Sequence, residues 1–253
     1  MSHMTTSAPQ AFGRPDLSRT AAANDGWAGL YRLGGASALA AALITAVSIV
    51  AFIAWPPPDG TAADWFALFN DNPLRGLVSL DLPFLVVNVL MVPLMLALYM
   101  ALHRVNPAAM LIAIAVYAVS LAGVFASNPM VEMLSLSRQY TAATGAQQTA
   151  MLGAGEALLA SYEGTAFHAF YILGQLAGIV IGVVMLRSAA FGRLIAYLMI
   201  VGNFVGFGLY LPTIGLTLSV LSGLVLWVWM ILLGRRLLQA GATRLTSGSV
   251  AAS

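Results

Sequence analysis

Six apolar stretches, each long enough to cross a bilayer, constrain the fold of this chain more than any other feature. The hydrocarbon core of a membrane is about 30 Å thick, and a helix needs about 20 apolar residues to span it. The composition agrees, since 60% of the 253 residues are hydrophobic and only 8% are charged, against about 25% in soluble domains. We therefore predict an all-α integral membrane protein with six transmembrane helices. The predicted spans are Leu33–Trp55, Leu82–Leu102, Ala108–Ser127, Ala166–Leu186, Leu194–Leu211 and Thr213–Leu233.

The arginines predict how the spans are oriented. Basic residues close to span ends concentrate on the cytoplasmic side of a membrane protein. With six spans and the N-terminus inside, nine of the eleven arginines are cytoplasmic, and only Arg75 and Arg138 lie outside. Both termini are therefore predicted to be cytoplasmic, and the predicted location is the cytoplasmic (inner) membrane of a bacterium, with the lipid bilayer as the main partner.

The same reading divides the chain into a membrane domain and two tails. Residues 1–29 form a predicted cytoplasmic tail, residues 30–239 the six-span domain, and residues 240–253 a second cytoplasmic tail. The opening residues "MSHM" are typical of a cloning scar. We therefore expect the natural start at Met4 and discount His3.

Two long loops, residues 56–81 and 128–165, fall on the outer side and are predicted to form a small helical cap. Four residue pairs in them resemble helix starts. These pairs are Thr61 with Asp64, Asn72 with Pro73, Asn128 with Pro129, and Thr144 with Gln147. The aromatic residues Trp65, Phe66 and Phe69 suggest a helix that lies in the membrane surface.

Polar residues inside the fourth and fifth spans follow helical spacing. His168, Tyr171 and Gln175 share one face of the fourth span, and Asn203 and Tyr210 share one face of the fifth. Intramembrane polar side chains usually face the bundle interior. Two interpretations remain open: hydrogen bonds between helices, or a polar-lined cavity open toward the cap. The candidate ligand-binding residues are His168, Tyr171, Gln175, Asn203, Tyr210, Glu163 and Glu132.

Small residues recur at intervals of four in several spans. The fourth span contains Gly174, Gly178 and Gly182, and the first contains Gly34, Ala38, Ala42 and Ala46. Such residues let helix backbones approach closely in lipid. We favour packing within one bundle over a dedicated dimer motif, and leave homo-oligomerisation open.

Several classes of chemistry lack their sequence signatures. The chain has no cysteine, which excludes disulfides and thiolate ligands, and its basic residues are all arginine, which excludes a lysine Schiff base. No paired-histidine metal motif or nucleotide fingerprint is present. Glu163 and His168 are five residues apart, so they diverge on a straight helix and meet only if Gly164 breaks it. We predict no metal, no cofactor and no nucleic-acid partner.

Four segments resemble an uncharacterised bacterial family of six-span membrane proteins. They are "LYRLGG" (Leu30–Gly35), "FNDNPLRGLVSLDL" (Phe69–Leu82), "VVMLRSAAFGRLIAYLMIVGN" (Val183–Asn203) and "LWVWMILLGRRLL" (Leu226–Leu238). The resemblance covers the chain from Trp27 to Gln239 and implies a six-helix fold, but it brings no established activity.

Three functions remain open from the sequence. The first is a protein that binds or transports a small apolar or amphipathic ligand in a cavity open to the outer side. The second is a membrane-embedded enzyme that uses His168 with Glu163, Glu156 or Glu132. The third is an accessory or structural subunit without a site.

Overall fold

Helices make up nearly all of the described structure. This computed structural model describes residues 17–58 and 60–251, and the side chains of 27–58 and 60–242. The "MSHM" stretch and the rest of the first 16 residues lie outside the described residues. The helices are α1 (Leu17–Ala54), α2 (Ala62–Asp71), α3 (Pro73–Ser79), α4 (Leu82–Leu102), α5 (Pro107–Ser127), α6 (Met130–Ala142), α7 (Ala146–Tyr162), α8 (Thr165–Leu186), α9 (Arg193–Gly206) and α10 (Gly215–Ala251), with a 3₁₀ turn (Phe207–Tyr210) after α9.

Six of these elements belong to segments long and apolar enough to cross a membrane, which confirms the predicted all-α six-span fold. They are α1, α4, α5, α8, α9 with its 3₁₀ turn, and α10. Each packs against the next in a closed ring, in the order α1, α4, α5, α8, α9, α10. α1 and α10 extend into the segments predicted as tails, and the two helices still meet there, since Gly241 lies against Ala28 and Arg32.

The four short helices α2, α3, α6 and α7 pack together as a cap at the opposite end of the bundle. Trp65, Phe66 and Phe69 are buried in the core of this cap, where the Phe66 and Tyr140 rings lie 5.4 Å apart. The prediction that these three residues anchor a helix in the membrane surface is therefore wrong. The apolar face of α2 is covered by α6 and α7 instead of by lipid.

Three of the four predicted cap-helix starts are close to the observed ones. Thr61 precedes α2, and the Asn72 side chain caps α3 by accepting from the Arg75 amide at 3.0 Å. Asn128 accepts from the Met130 amide, so α6 starts one residue later than predicted. The predicted Thr144–Gln147 capping box is wrong. The N-cap of α7 is Gly145 (φ +56°), so Thr144 lies one residue before the cap position.

Small residues hold α1 against its neighbours in the half of the bundle that lies away from the cap. This half is called the inner half below, and the half next to the cap is called the outer half. A side chain on Gly35 would meet the Gly234 carbonyl oxygen of α10 at 2.8 Å, and one on Gly34 would overlap Ala97 of α4. Ala38, next on this face, is completely buried. These glycines therefore serve packing within the chain, as expected from their spacing.

Candidate functional site

A cavity of about 350 Å³ lies in the middle of the helix ring. Its walls come from α4, α5, α8, α9 and α10, and no residue of α1 or of the cap lines it. Most of the lining is apolar, with Phe84, Met91, Phe170, Ile181 and Leu226 as examples. Its volume is at the lower end of the range of about 300–1,000 Å³ found for small-molecule pockets.

Three of the residues singled out in the sequence line this cavity: Tyr171, Gln175 and Asn203. The Tyr171 hydroxyl donates to the Gly206 carbonyl oxygen at 3.0 Å and lies 3.3 Å from the Ser219 hydroxyl. The Asn203 amide donates to the carbonyl oxygen of Met199, one turn earlier, at 2.7 Å. Tyr171 therefore joins α8 to α9 and α10, as the interhelical interpretation expects.

Two glycines make room for the amide side chains between α8 and α9. Gly206 of α9 faces Gln175, and Gly178 of α8 faces Asn203, so closely that a Cβ on either glycine would overlap the amide. Each helix thus supplies one glycine and one amide to the contact. This reciprocal arrangement explains why Gln175 and Asn203 are both buried in the wall of the cavity.

Two further cavity residues carry buried polar atoms without a hydrogen-bond partner: Tyr117 of α5, through its hydroxyl, and Trp229 of α10, through its indole Nε1. Trp229 is only 3% exposed. Leaving a buried donor unpaired costs about 1–3 kcal/mol. Neither residue was among the sequence candidates. The depth of Trp229 in its span was the available signal, because membrane tryptophans usually lie at the interfaces.

His168 and Tyr210 form a separate pair at the outer rim. The His168 Nδ1 atom lies 3.1 Å from the Tyr210 hydroxyl, and the ring centroids are 5.6 Å apart. His168 is exposed, Tyr210 is 44% exposed, and neither residue lines the cavity. The predicted stripe on α8 therefore divides into a rim residue, His168, and inner residues that reach the cavity.

Glu163 and Glu132 are residues of the cap region and do not line the cavity. The chain does break between α7 and α8, where Gly164 is the N-cap of α8. In the described structure, however, no hydrogen bond or ion pair joins Glu163 to His168. Among the described residues, no group of three His, Cys, Asp or Glu side chains could hold a metal ion.

Two other acidic residues stabilise the cap. Glu156 of α7 accepts a hydrogen bond from the Ala62 amide at 2.7 Å, which satisfies the start of α2. Asp81 accepts from the Tyr162 hydroxyl, where the cap joins α4. Burial raises the pKa of Asp81 above its usual value of 3.8, and the hydrogen bond from Tyr162 opposes part of that rise. Burial, together with the Asp81 charge, also raises the pKa of Tyr162.

We find no match of the chain to a family model, to a curated protein or to a solved structure. The resemblance to an uncharacterised six-span family therefore stays a prediction, and the function has to be inferred from the site itself.

Proposed function

We propose that this multi-pass membrane protein binds a small, mostly apolar molecule inside the helix ring. One observation carries the proposal: an apolar cavity of about 350 Å³ is lined by Tyr117 and Trp229, and each of these residues carries a buried polar atom that nothing in the described part of the chain pairs. Buried polar groups in native proteins nearly always have a partner. A bound molecule would supply it.

The two unpaired atoms indicate the chemistry of the ligand. An indole N–H only donates, whereas a phenol both donates and accepts. A ligand that satisfies Trp229 must therefore carry a hydrogen-bond acceptor such as a carbonyl, ester or ether oxygen. The rest of the ligand should be apolar, to match the phenylalanine, methionine and leucine walls.

The packing of the inner half of the bundle favours binding over transport. Leu98, Leu102, Met185 and Leu233 are completely buried there. Transport requires the site to open alternately to both sides, and these buried side chains would have to separate for the site to open inward.

The contacts do not favour an enzyme that uses His168 with a cap carboxylate. Glu156 is occupied in capping α2, and neither Glu163 nor Glu132 contacts His168. His168 itself pairs with Tyr210, outside the cavity.

Native mass spectrometry of the purified protein tests the proposal, with Trp229→Phe and Tyr117→Phe as variants. We expect a co-purified small molecule in the wild type, and about tenfold weaker retention in each variant, because one good hydrogen bond is worth about 1.4 kcal/mol or less. Trp227→Phe is the matched control, since Trp227 already donates to Ala42 at 2.8 Å. The Trp227→Phe protein should be less stable than the wild type but should retain the co-purified molecule equally well.

The thermal stability of the empty protein separates binding from structure. Without ligand, each of the variants Trp229→Phe and Tyr117→Phe removes an unpaired buried atom, which favours the folded state by about 1–3 kcal/mol. Trp229→Phe also loses buried ring volume, which opposes that gain, so neither variant should melt well below the wild type. A wild type that carries no bound molecule, together with variants that melt well below it, would refute the proposal.

A further inference from the structure

We propose that the ligand reaches the cavity from within the lipid, through an opening where α1 and α10 part in the outer half of the bundle. This inference rests on the proposed function and adds the route and the source of the ligand. It identifies the ligand as a lipid-dissolved molecule with a hydrogen-bond acceptor and an apolar body.

The contact between α1 and α10 is confined to the inner half. Along α10, Gly241 lies against Arg32 of α1, and Gly234 lies against Gly35. Trp227 makes the outermost of these contacts. The Trp227 indole donates to the Ala42 carbonyl oxygen. No described residue of α1 after Ala42 is buried, and Val47 is 60% exposed. Close packing of α1 on α10 is therefore observed up to the Ala42–Trp227 contact, and α1 is less buried beyond it.

Gly223 lies one turn outward from Trp227 on the same face of α10. It lines the cavity, is exposed, and has no atom within 4 Å of the position that a Cβ would occupy. On the antiparallel α1, the residue one turn outward from Ala42 is Ala46, which is half-buried and does not line the cavity. By helical spacing, Gly223 and Ala46 are therefore the corresponding positions of the two helices, one turn outward from the Ala42–Trp227 contact.

This opening lies at the depth of the lipid chains. Gly223 is eight residues from the start of α10 at Gly215, which places it about 12 Å below the outer end of that helix at 1.5 Å per residue. The hydrocarbon core is about 30 Å thick. A molecule that passes Gly223 must therefore come from the apolar part of the bilayer.

The outer end of the cavity is lined with aromatic rings in contact with one another. The Phe84 and Phe170 rings are 5.7 Å apart, and the Phe167 and Tyr171 rings are 6.0 Å apart. A molecule that enters from the outer water would have to pass these rings. At Gly223, no atom lies within 4 Å of the position that a Cβ would occupy, which favours a lateral route.

Photo-crosslinking of the full chain in phosphatidylcholine vesicles tests the route. The probe is the methyl ester of a diazirine-bearing fatty acid, which has an apolar chain and an acceptor carbonyl. In the wild type, we expect label on cavity residues near Trp229 and Met95. In Gly223→Leu and Ala46→Phe, which narrow the opening from either side, cavity label should fall by about tenfold, the change that a steric cost of about 1.4 kcal/mol produces.

Two controls keep the test specific. Gly29→Leu adds the same side chain to another exposed helical glycine with nothing within 4 Å, and Val47→Phe adds a ring beside Ala46 on a different face of α1. Neither should reduce cavity label. Ala46→Phe decides the route, because the larger side chain in Gly223→Leu could also fill the cavity itself.

Each outcome has one meaning. Loss of cavity label in both narrowing variants supports the lateral route. Full cavity label in Ala46→Phe overturns the route and leaves the proposed function standing. Absence of cavity label in the wild type overturns both.

Discussion

Two glycines of α10, eleven residues apart, have opposite surroundings. Gly234 lies in the inner half, where a Cβ would come within 2.9 Å of the Gly35 carbonyl oxygen and 3.1 Å of Ala38. Gly223 lies in the outer half, where nothing is within 4 Å. The first lets two helix backbones touch, and the second borders a cavity.

A small residue in a membrane helix therefore does not by itself indicate a contact between two helices. Lipid provides no hydrophobic drive for helix association, so close contact matters only where a partner backbone is present. α1 has buried residues up to Ala42, whereas its later residues are half-buried or exposed. On the inner side of Ala42 the two helices are therefore packed against each other, whereas Gly223 borders the cavity, which extends inward as far as Trp229.

Substituting the two glycines by alanine gives the sharpest test of this difference. Gly234→Ala should destabilise the protein by about 1–3 kcal/mol, because the added methyl group forces α1 and α10 apart. Gly223→Ala should be neutral or should stabilise by up to about 1 kcal/mol, the difference in helix propensity. Thermal melting in detergent measures both. Equal effects at the two positions would remove the distinction between the halves.

The two tryptophans that flank this boundary provide a second test. Trp227→Phe should lower stability by about 0.5–1.5 kcal/mol, because it removes the hydrogen bond that ends the α1–α10 contact. Trp229→Phe removes an unpaired indole, so the empty protein should change less. Denaturant titration of ligand-free protein would show the order. A larger loss at Trp229 would mean that its indole supports the fold.

The outer end of the bundle should also respond to pH through Asp81. Because burial raises the pKa of Asp81 in the folded protein above 3.8, the folded state binds its proton more tightly than the unfolded state. Stability from this group is therefore greatest below its unfolded pKa and falls as pH rises through the folded pKa.

Asp81→Asn keeps an acceptor for the Tyr162 hydroxyl and tolerates the left-handed backbone of this residue (φ 69°). We expect the decline in melting temperature as the pH rises above about 4 to disappear in this variant. Parallel melting curves for the wild type and the variant across that range would contradict the assignment of the effect to Asp81.

The smallest effect is expected at the outer rim. His168→Phe removes an exposed hydrogen bond to Tyr210 and leaves the cavity lining intact. Stability should change by less than about 0.5 kcal/mol, the usual size for an exposed site, and ligand retention should change less than in Tyr117→Phe. Native mass spectrometry measures the retention. A loss of ligand retention as large as in Tyr117→Phe would show that His168 contributes to ligand binding.

Much of the fold could be predicted because membrane physics acts on local sequence. The span from Leu82 to Leu102 matches α4 at both ends, since a run of apolar residues must form a helix in lipid. Asn72 and Pro73 identify the start of α3, because the Asn72 side chain caps the amide of a residue only three positions later. The predicted capping box at Thr144 is wrong, because Gly145, one residue later, is the N-cap of α7.

The candidate site was only partly accessible from sequence. Helical spacing placed Tyr171, Gln175 and Asn203 on interior faces, and the structure brings them together in the cavity wall. The same spacing grouped His168 and Tyr210 with them, although both lie at the exposed rim. Periodicity gives the direction in which a side chain points, but not whether a neighbouring helix is there to meet it.

The sequence by itself determined that this chain crosses a membrane six times and that its outer loops form helices. These properties depend on the length, apolar character and caps of individual segments. The tertiary structure, in contrast, leaves Tyr117 and Trp229 without hydrogen-bond partners among the described residues and leaves α1 less buried after Ala42 than before it. Those features depend on contacts between residues distant in the chain, such as Trp227 with Ala42 and Gly35 with Gly234.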